Sequence, residues 1–374
     1  MGKLSLKQID AFVKDYVASA KIANPSFTAT AENIAGLVDK IGKQVNYDTV
    51  YSDKLRMLNG DVLPYGKTVE EWAMNLTMPE KYDAEGAGAL SPADPTFMKP
   101  CYSYSLGRIK FKTTIRNDNL ERAMLNGDEF GSIVAQITKR LVDSVAVEMY
   151  AEKRQLLGEL GAECAKTIAA SSTFGVYANA TAYEVGTQLK NTASATKTGI
   201  VVKKKSTASL TWDEAVAQGF IVEYDNMVQT LAVPTDTATG EAFVKQVKSD
   251  VEIASDISEG HSLNGNTLGA TEGLYLFVKQ GVIPAVEVNV MAGAFHEDKM
   301  AVPAEIVVIK DFGTKAPAGT YAILADIRGI RSFIGYDAVR EQLNADGDFT
   351  NIFRHIEPTV SYSRNTFVKV YKNA

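Results

Sequence analysis

A chain of 374 residues exceeds the size at which one hydrophobic core stops growing, so two or more packing units are expected. Apolar residues at 45% and charged residues at 22% are ordinary globular values and exclude a chain disordered throughout. The net charge of −6, from 39 basic and 45 acidic side chains, argues against tight sequence-independent nucleic-acid binding but leaves room for a local basic face.

The first residues carry Lys3, Lys7, Asp10 and Lys14 where a secretory signal would be apolar, and Leu6 stands where a myristoylation motif has serine or threonine. No apolar run approaches the roughly 20 residues that span a bilayer. A cytosol-made protein is expected, with no membrane partner.

Residues 5–21 read as an amphipathic helix, with Ser5 and Gln8 at capping-box spacing and Ile9, Phe12, Val13, Tyr16 and Val17 on one stripe. A second helix is expected over 31–45. From 46 to 100 glycine, proline, tyrosine and charge are interleaved. That is too long for an idle connection in a compact domain. Residues 105–115 alternate as a strand, Ile109, Phe111 and Thr113 against Arg108, Lys110 and Lys112. The strongest element is a helix over 128–157, with Asp128 and Glu129 at its start and Lys153 and Arg154 near its end.

Residues 169–209 are rich in Ala, Ser, Thr, Asn and Lys, with a possible hairpin around TGIVVKKKST. A capped helix starts at Thr211, with Glu214 three residues on. A compact α/β unit follows, with strands expected at 273–278, 304–312 and 321–327. The alternating C-terminal stretch reads as one or two further strands.

Candidate chemistry fails on spacing. Gly66-Lys67-Thr68 ends like a phosphate-binding loop, but Gly60 lies too far upstream and Pro64 removes a backbone donor from the loop that must supply donors. His261, His296 and His355 are far apart, and no G-x-S-x-G elbow frames a serine. Cys101 and Cys164 have no C-x-x-C partner and read as small apolar fillers. Glu70 and Glu71 are adjacent, so they point apart. Asn344, Asp346 and Asp348 begin like a calcium loop. The glycine falls at the wrong place and His355 stands where the bidentate glutamate belongs, so a polar turn is the better account. Lys203, Lys204 and Lys205, the basic run, fit a solvated hairpin. Neither a catalytic constellation nor a metal or cofactor site emerges, and no enzyme is expected.

The order of elements is an amphipathic arm, a long extended excursion, a very long helix, a compact α/β unit and returning strands. Excursions of this kind bury too little of their own domain to stay ordered alone and tend to lie on a neighbouring subunit. This order resembles the tailed-phage major capsid proteins of the Hong Kong 97 type, an α+β fold. The wording is similar to the phi-29-like family in LVDKIGKQV, LPYGKTVEEW, EKYDAEGA, IRNDNLERAM, PAVEVNVMAGAFHEDKM and VSYSRNTFVKVY, all in the same order.

The resemblance implies an N-terminal arm over 1–45 and an extended loop with its strands over 46–115. A peripheral domain over 116–210 would hold the spine helix, 211–335 would form an axial domain, and 336–374 would return to the peripheral domain. It implies intersubunit contacts from Pro64, Lys67, Glu70, Glu71, Trp72, Tyr82 and Asp83. Lys67 would pair with Glu70 or Glu71, and Trp72 and Tyr82 would be anchors. The expected partners are further copies in pentamers and hexamers, a scaffolding protein, a portal protein, decoration or head-fibre proteins, and enclosed double-stranded DNA. The family's additional C-terminal immunoglobulin-like domain and an N-terminal scaffolding segment find no counterpart in these residues. Some capsids of this fold cross-link a lysine to an asparagine, and no such pair is expected here. An encapsulin-type compartment shares the fold, and a cytosolic α/β enzyme is the alternative of another class.

Overall fold

The computed structural model describes residues 51, 53–60, 69–71, 73–74, 97–98, 101–116, 127–168, 172–193, 197–204, 209–267, 269, 273–283, 304–347 and 349–373. The helices expected at 5–21 and 31–45 lie outside these residues.

In chain order the early strands are β1 (Ala73–Met74), β2 (Phe97–Met98), β3 (Cys101–Ser105) and β4 (Ile109–Arg116). Helix α1 (Gly127–Ala165) precedes β5 (Gly175–Val176), β6 (Gln188–Asn191) and β7 (Lys197–Val201). Then come α2 (Trp212–Ala217), β8 (Ile221–Glu223), β9 (Val228–Thr230), α3 (Thr237–Ser255), β10 (Ser258–Glu259) and β11 (Asn266–Thr267). The last strands are β12 (Leu274–Lys279), β13 (Glu305–Ile309), β14 (Thr320–Asp326), β15 (Ile330–Asn344), β16 (Phe349–Ser363) and β17 (Val368–Lys372).

The chain divides into two compact units. One contains residues 1–68, 104–153 and 332–360, and the other 69–103, 154–331 and 361–374. In the first, β16 pairs antiparallel with β4, Phe349 opposite Arg116 and Ile356 opposite Ile109. The same sheet runs β15-β16-β3. Val145 and Met149 of α1 pack with Ile356, and Ile109, Phe111 and Ile334 lie against them. These are the apolar positions of the period-2 strand and the helical stripe read from the sequence. The calcium-like stretch is the turn between β15 and β16. Asn344 Oδ1 accepts from the backbone N–H groups of Asp346 and Gly347, both at 3.1 Å, so a side chain caps the turn.

The second unit is built on a five-stranded sheet in the order β13-β12-β14-β17-β9. β12 runs parallel to β13 and antiparallel to β14. α3 covers one face, where Phe243, Val247 and Val251 meet Leu276, Tyr321, Leu324 and Tyr371. Residues 154–165 of α1 cover the other. A Cβ on Gly161 would lie 3.4 Å from Ile323 Cδ1, and one on Gly158 only 2.1 Å from the Phe312 carbonyl oxygen. The helix therefore continues past the expected end at Leu157 to Ala165. Gly158 within it allows a close approach to the Phe312 carbonyl.

A smaller sheet, β5-β6-β7-β8, packs on α2 through Leu189, Val201, Ile221 and the buried Trp212. The expected capping box is present: Thr211 Oγ1 accepts from Glu214 N, and Glu214 Oε2 accepts from Thr211 N at 2.8 Å. β7 is a middle strand paired with both β6 and β8, and it ends before the lysine run, so that run is not the turn of a two-stranded hairpin. Within the C-terminal segment 336–374 the last two strands pair in different sheets. β16 carries the first unit's pairing, and β17 inserts between β14 and β9 of the second.

Candidate subunit interface

Of the residues expected at intersubunit contacts, Pro64, Lys67, Trp72, Tyr82 and Asp83 lie outside the described residues. Glu70 is exposed and Glu71 half-buried. Just before them the Ser103 hydroxyl donates to the Val69 carbonyl and accepts from the Val69 N–H, both at 3.1 Å. Just after them β1 and β2 pair antiparallel, Ala73 opposite Met98 and Met74 opposite Phe97. Two independent ties thus join the outgoing chain at 69–74 to the incoming chain at 97–103, and residues 75–96 lie between them.

The chain that leads into this segment is anchored in the first unit. Lys153 is 1% exposed, and its ammonium donates to Asp53 Oδ2 at 2.5 Å and to Asn59 Oδ1. Burial pushes the Lys153 amine below its ordinary value, and the Asp53 carboxylate opposes that shift. Removing one partner of such a pair leaves a buried charge without compensation, which makes it a strong clasp. Around it Tyr51 N donates to Asp143 Oδ1, Tyr51 stacks edge-on to Tyr150, and Gly60 N donates to the Ser332 carbonyl at 2.8 Å.

Read from the sequence, Lys153 is a base near a helix end, and its partners Asp53 and Asn59 go unnoticed. A signal was available. Val145, Met149 and Lys153 stand four residues apart on the buried stripe of α1, and a lysine on such a stripe requires an acidic partner. The cysteine reading holds for Cys164, which is fully buried, and burial pushes its thiol far up, away from the reactive thiolate.

Two surfaces of the first unit stand open. On β4, Lys110, Lys112, Thr114 and Arg116 are exposed and alternate with residues that face the core, which makes a local basic stripe on an acidic chain. Lys112 lies 5.8 Å over the Phe353 ring of the paired strand. β15 is half-exposed along most of its 15 residues, with Leu343 63% exposed. It is braced by Asp337, which accepts from buried Arg354 through both oxygens at 2.9 and 2.6 Å. Arg108 sits over the Tyr336 ring at 4.6 Å. Among the described residues no cluster of His, Cys, Asp and Glu is arranged to hold a metal ion. No described helix is long and apolar enough to cross a membrane.

A chain with two compact units, one long helix contributing residues to both and several small sheets is an α+β protein with the Hong Kong 97-type fold. Solved phage heads share that fold. A chain from the capsid of Staphylococcus phage Andhra superposes with a TM-score of 0.56 at 10% identity, covering 87% of this chain and 86% of its own. One from the structure of the head fiber and inner core protein gp22 of bacteriophage P68 superposes at 0.50 with 11% identity and the same coverage. The model of the Phi29-like phage major capsid protein family matches residues 8–368, and the chain belongs to that family. The major capsid proteins of Bacillus phages B103 and PZA are 20% and 22% identical over 341 and 339 residues. These matches cover 90% of this chain and 62% of the length of each relative.

Proposed function

We propose that this chain is the subunit of a tailed-phage head shell, a virion component that assembles in the host cytoplasm as pentamers and hexamers around double-stranded DNA. The family match along residues 8–368 carries the reading. The Val69–Ser103 and β1–β2 ties support it, because they bring the two ends of residues 75–96 side by side, as the base of an extended loop requires. On this reading residues 46–115 form the extended loop. Lys67 pairs with Glu70 or Glu71 across subunits, Trp72 and Tyr82 anchor the contact, and Pro64 and Asp83 flank it. Scaffolding, portal and decoration or head-fibre proteins are the expected further partners. Individual contacts need not be strong, since a closed shell multiplies them through effective concentration.

The test is negative-stain electron microscopy of the expressed chain with and without its scaffolding protein. Uniform closed shells or capsomers are expected. A clean monomer under every condition would overturn the reading. Trp72→Ala should lower particle yield while leaving the subunit folded, and an unchanged yield would remove Trp72 from the interface.

A further inference from the structure

One face of the sheet formed by β15, β16 and β4 packs on α1 through Ile109, Phe111 and Ile356, and the opposite face gathers cations. On that face Lys110, Lys112 and Arg116 of β4 are exposed and stand opposite His355, Phe353 and Phe349 of β16. From β15 the Tyr336 ring meets the Arg108 guanidinium at 4.6 Å. Exposed Arg340 lies four residues further along β15 and shares Tyr336's face, because alternate side chains of a strand point the same way. Asp337 is turned to the other face, where it accepts from buried Arg354.

Arg108 is answered within the chain, 3.6 Å from Glu357, the one carboxylate this face holds among the described residues of the three strands. Exposed Asp346 stands at one end, in the turn between β15 and β16. Lys110, Lys112, Arg116 and Arg340 have no ion-pair partner among the described residues. Four unanswered cations on one face of a chain with net charge −6 are a concentration, not a sample of its surface. The aromatic rings of the face are half-buried, and Lys112 and Arg108 lie over Phe353 and Tyr336, so cations form its outer layer. Protein interfaces are depleted of lysine at their centres, whereas nucleic-acid interfaces are polar and strongly positive.

We propose that this face binds the phosphate backbone of double-stranded DNA and is therefore the inward side of the subunit in the shell. Lys110 and Lys112 stand about 7 Å apart along β4, and Lys110 and Arg116 about 20 Å, so one duplex spans the stripe. Arg340 reaches the same duplex from the far side of β16. Contacts of ammonium and guanidinium groups with phosphate carry no sequence information, so any packaged DNA fits. The acidic remainder of the chain repels DNA, which confines the contact to this face. This inference rests on the shell reading, which places DNA on one side of every subunit.

The experiment follows the full chain binding a fluorescent duplex of mixed sequence by anisotropy, as salt is raised. With four phosphates neutralised, affinity should fall about 150-fold between about 50 and 200 mM salt. The variant K110Q/K112Q/R116Q should lose only about three- to fourfold over the same range, and R340Q about 40-fold. The charge-matched variant K203Q/K245Q/K279Q, which alters exposed lysines of the second unit, should behave as the unaltered chain. An equal loss in that control, or an unchanged salt response in K110Q/K112Q/R116Q, would overturn the proposal. So would poly-glutamate that displaces the duplex at equal charge, which would assign the face to an acidic protein segment. Closed particles should leave duplex added from outside unbound, and binding to their exterior would overturn the inward assignment. Particle formation is scored separately by electron microscopy. Intact particles without these DNA effects overturn this inference alone, and an unaltered chain that forms no particles removes the shell reading.

Discussion

β14 of the second unit buries all seven of its residues, whereas β15, from Ser332 onward in the first unit, buries Ser332 alone. The two strands stand for two ways of using a sheet. β14 has helix on both faces, α3 on one and the end of α1 on the other, so its stability comes from its own chain. β15 and β4 keep an open face lined with Lys110, Lys112, Arg116 and Leu343. A subunit that must fold before it assembles needs the first kind of sheet, and one that must present surface to partners needs the second.

The largest way to break this contrast is to show that the open unit depends as heavily on an interior contact. Lys153→Ala should cost about 3–5 kcal/mol, because it empties a buried position and leaves the half-buried Asp53 without its cation. Urea denaturation of the isolated subunit measures this, and the double variant D53N/K153M should recover much of the loss. Leu324→Ala in β14 should cost ~2–5 kcal/mol, while Leu343→Ser in β15 should change stability by about 0.5 kcal/mol or less. Equal effects at the two positions would dissolve the comparison.

The helix glycines sharpen it. Gly158→Ala drives a methyl into the Phe312 carbonyl and should cost about 1–3 kcal/mol in the same assay. Gly161→Ala meets only ordinary contacts and should be neutral or slightly stabilising through helix propensity. The smallest effect is a pH slope. The folded His261 titrates below its ordinary value, through burial first and Lys369 second, with Asp225 and Asp250 opposing. Between about 6.5 and the lower folded value the unfolded chain binds a proton that the folded chain refuses, so stability falls as pH drops through that window. His261→Gln should flatten this part of the stability profile measured by thermal melting, and an unaltered slope would show that His261 is not its source.

Much of this protein was legible in its residues one at a time. The stripe of α1, the alternation of β4, the capping box at Thr211 and the apolar strands β12, β13 and β14 follow from local periods of 3.6 and 2, which need no knowledge of neighbours in space. The order of those elements and the collinear phi-29-like wording carried the family as well. The conserved-looking local signals stop where one residue type can serve two ends. The helical stripe is expected to end at Leu157, yet the helix runs to Ala165, with Gly158 admitting the Phe312 carbonyl. Lys153 read as a terminal charge, yet it closes on Asp53 and Asn59, 100 and 94 residues away. The end of the chain reads as one or two strands, and only the fold shows that β17 lies between β14 and β9. His261 stands alone in the sequence, and only the fold buries it beside Asp225 and Phe367. The sequence by itself determined the elements and their kinship, because propensity and hydrophobic period act over a few residues. Only the tertiary structure decided the clasp, the strand order and the burial of His261 against Phe367, because each depends on groups that the chain brings together across long sequence separations.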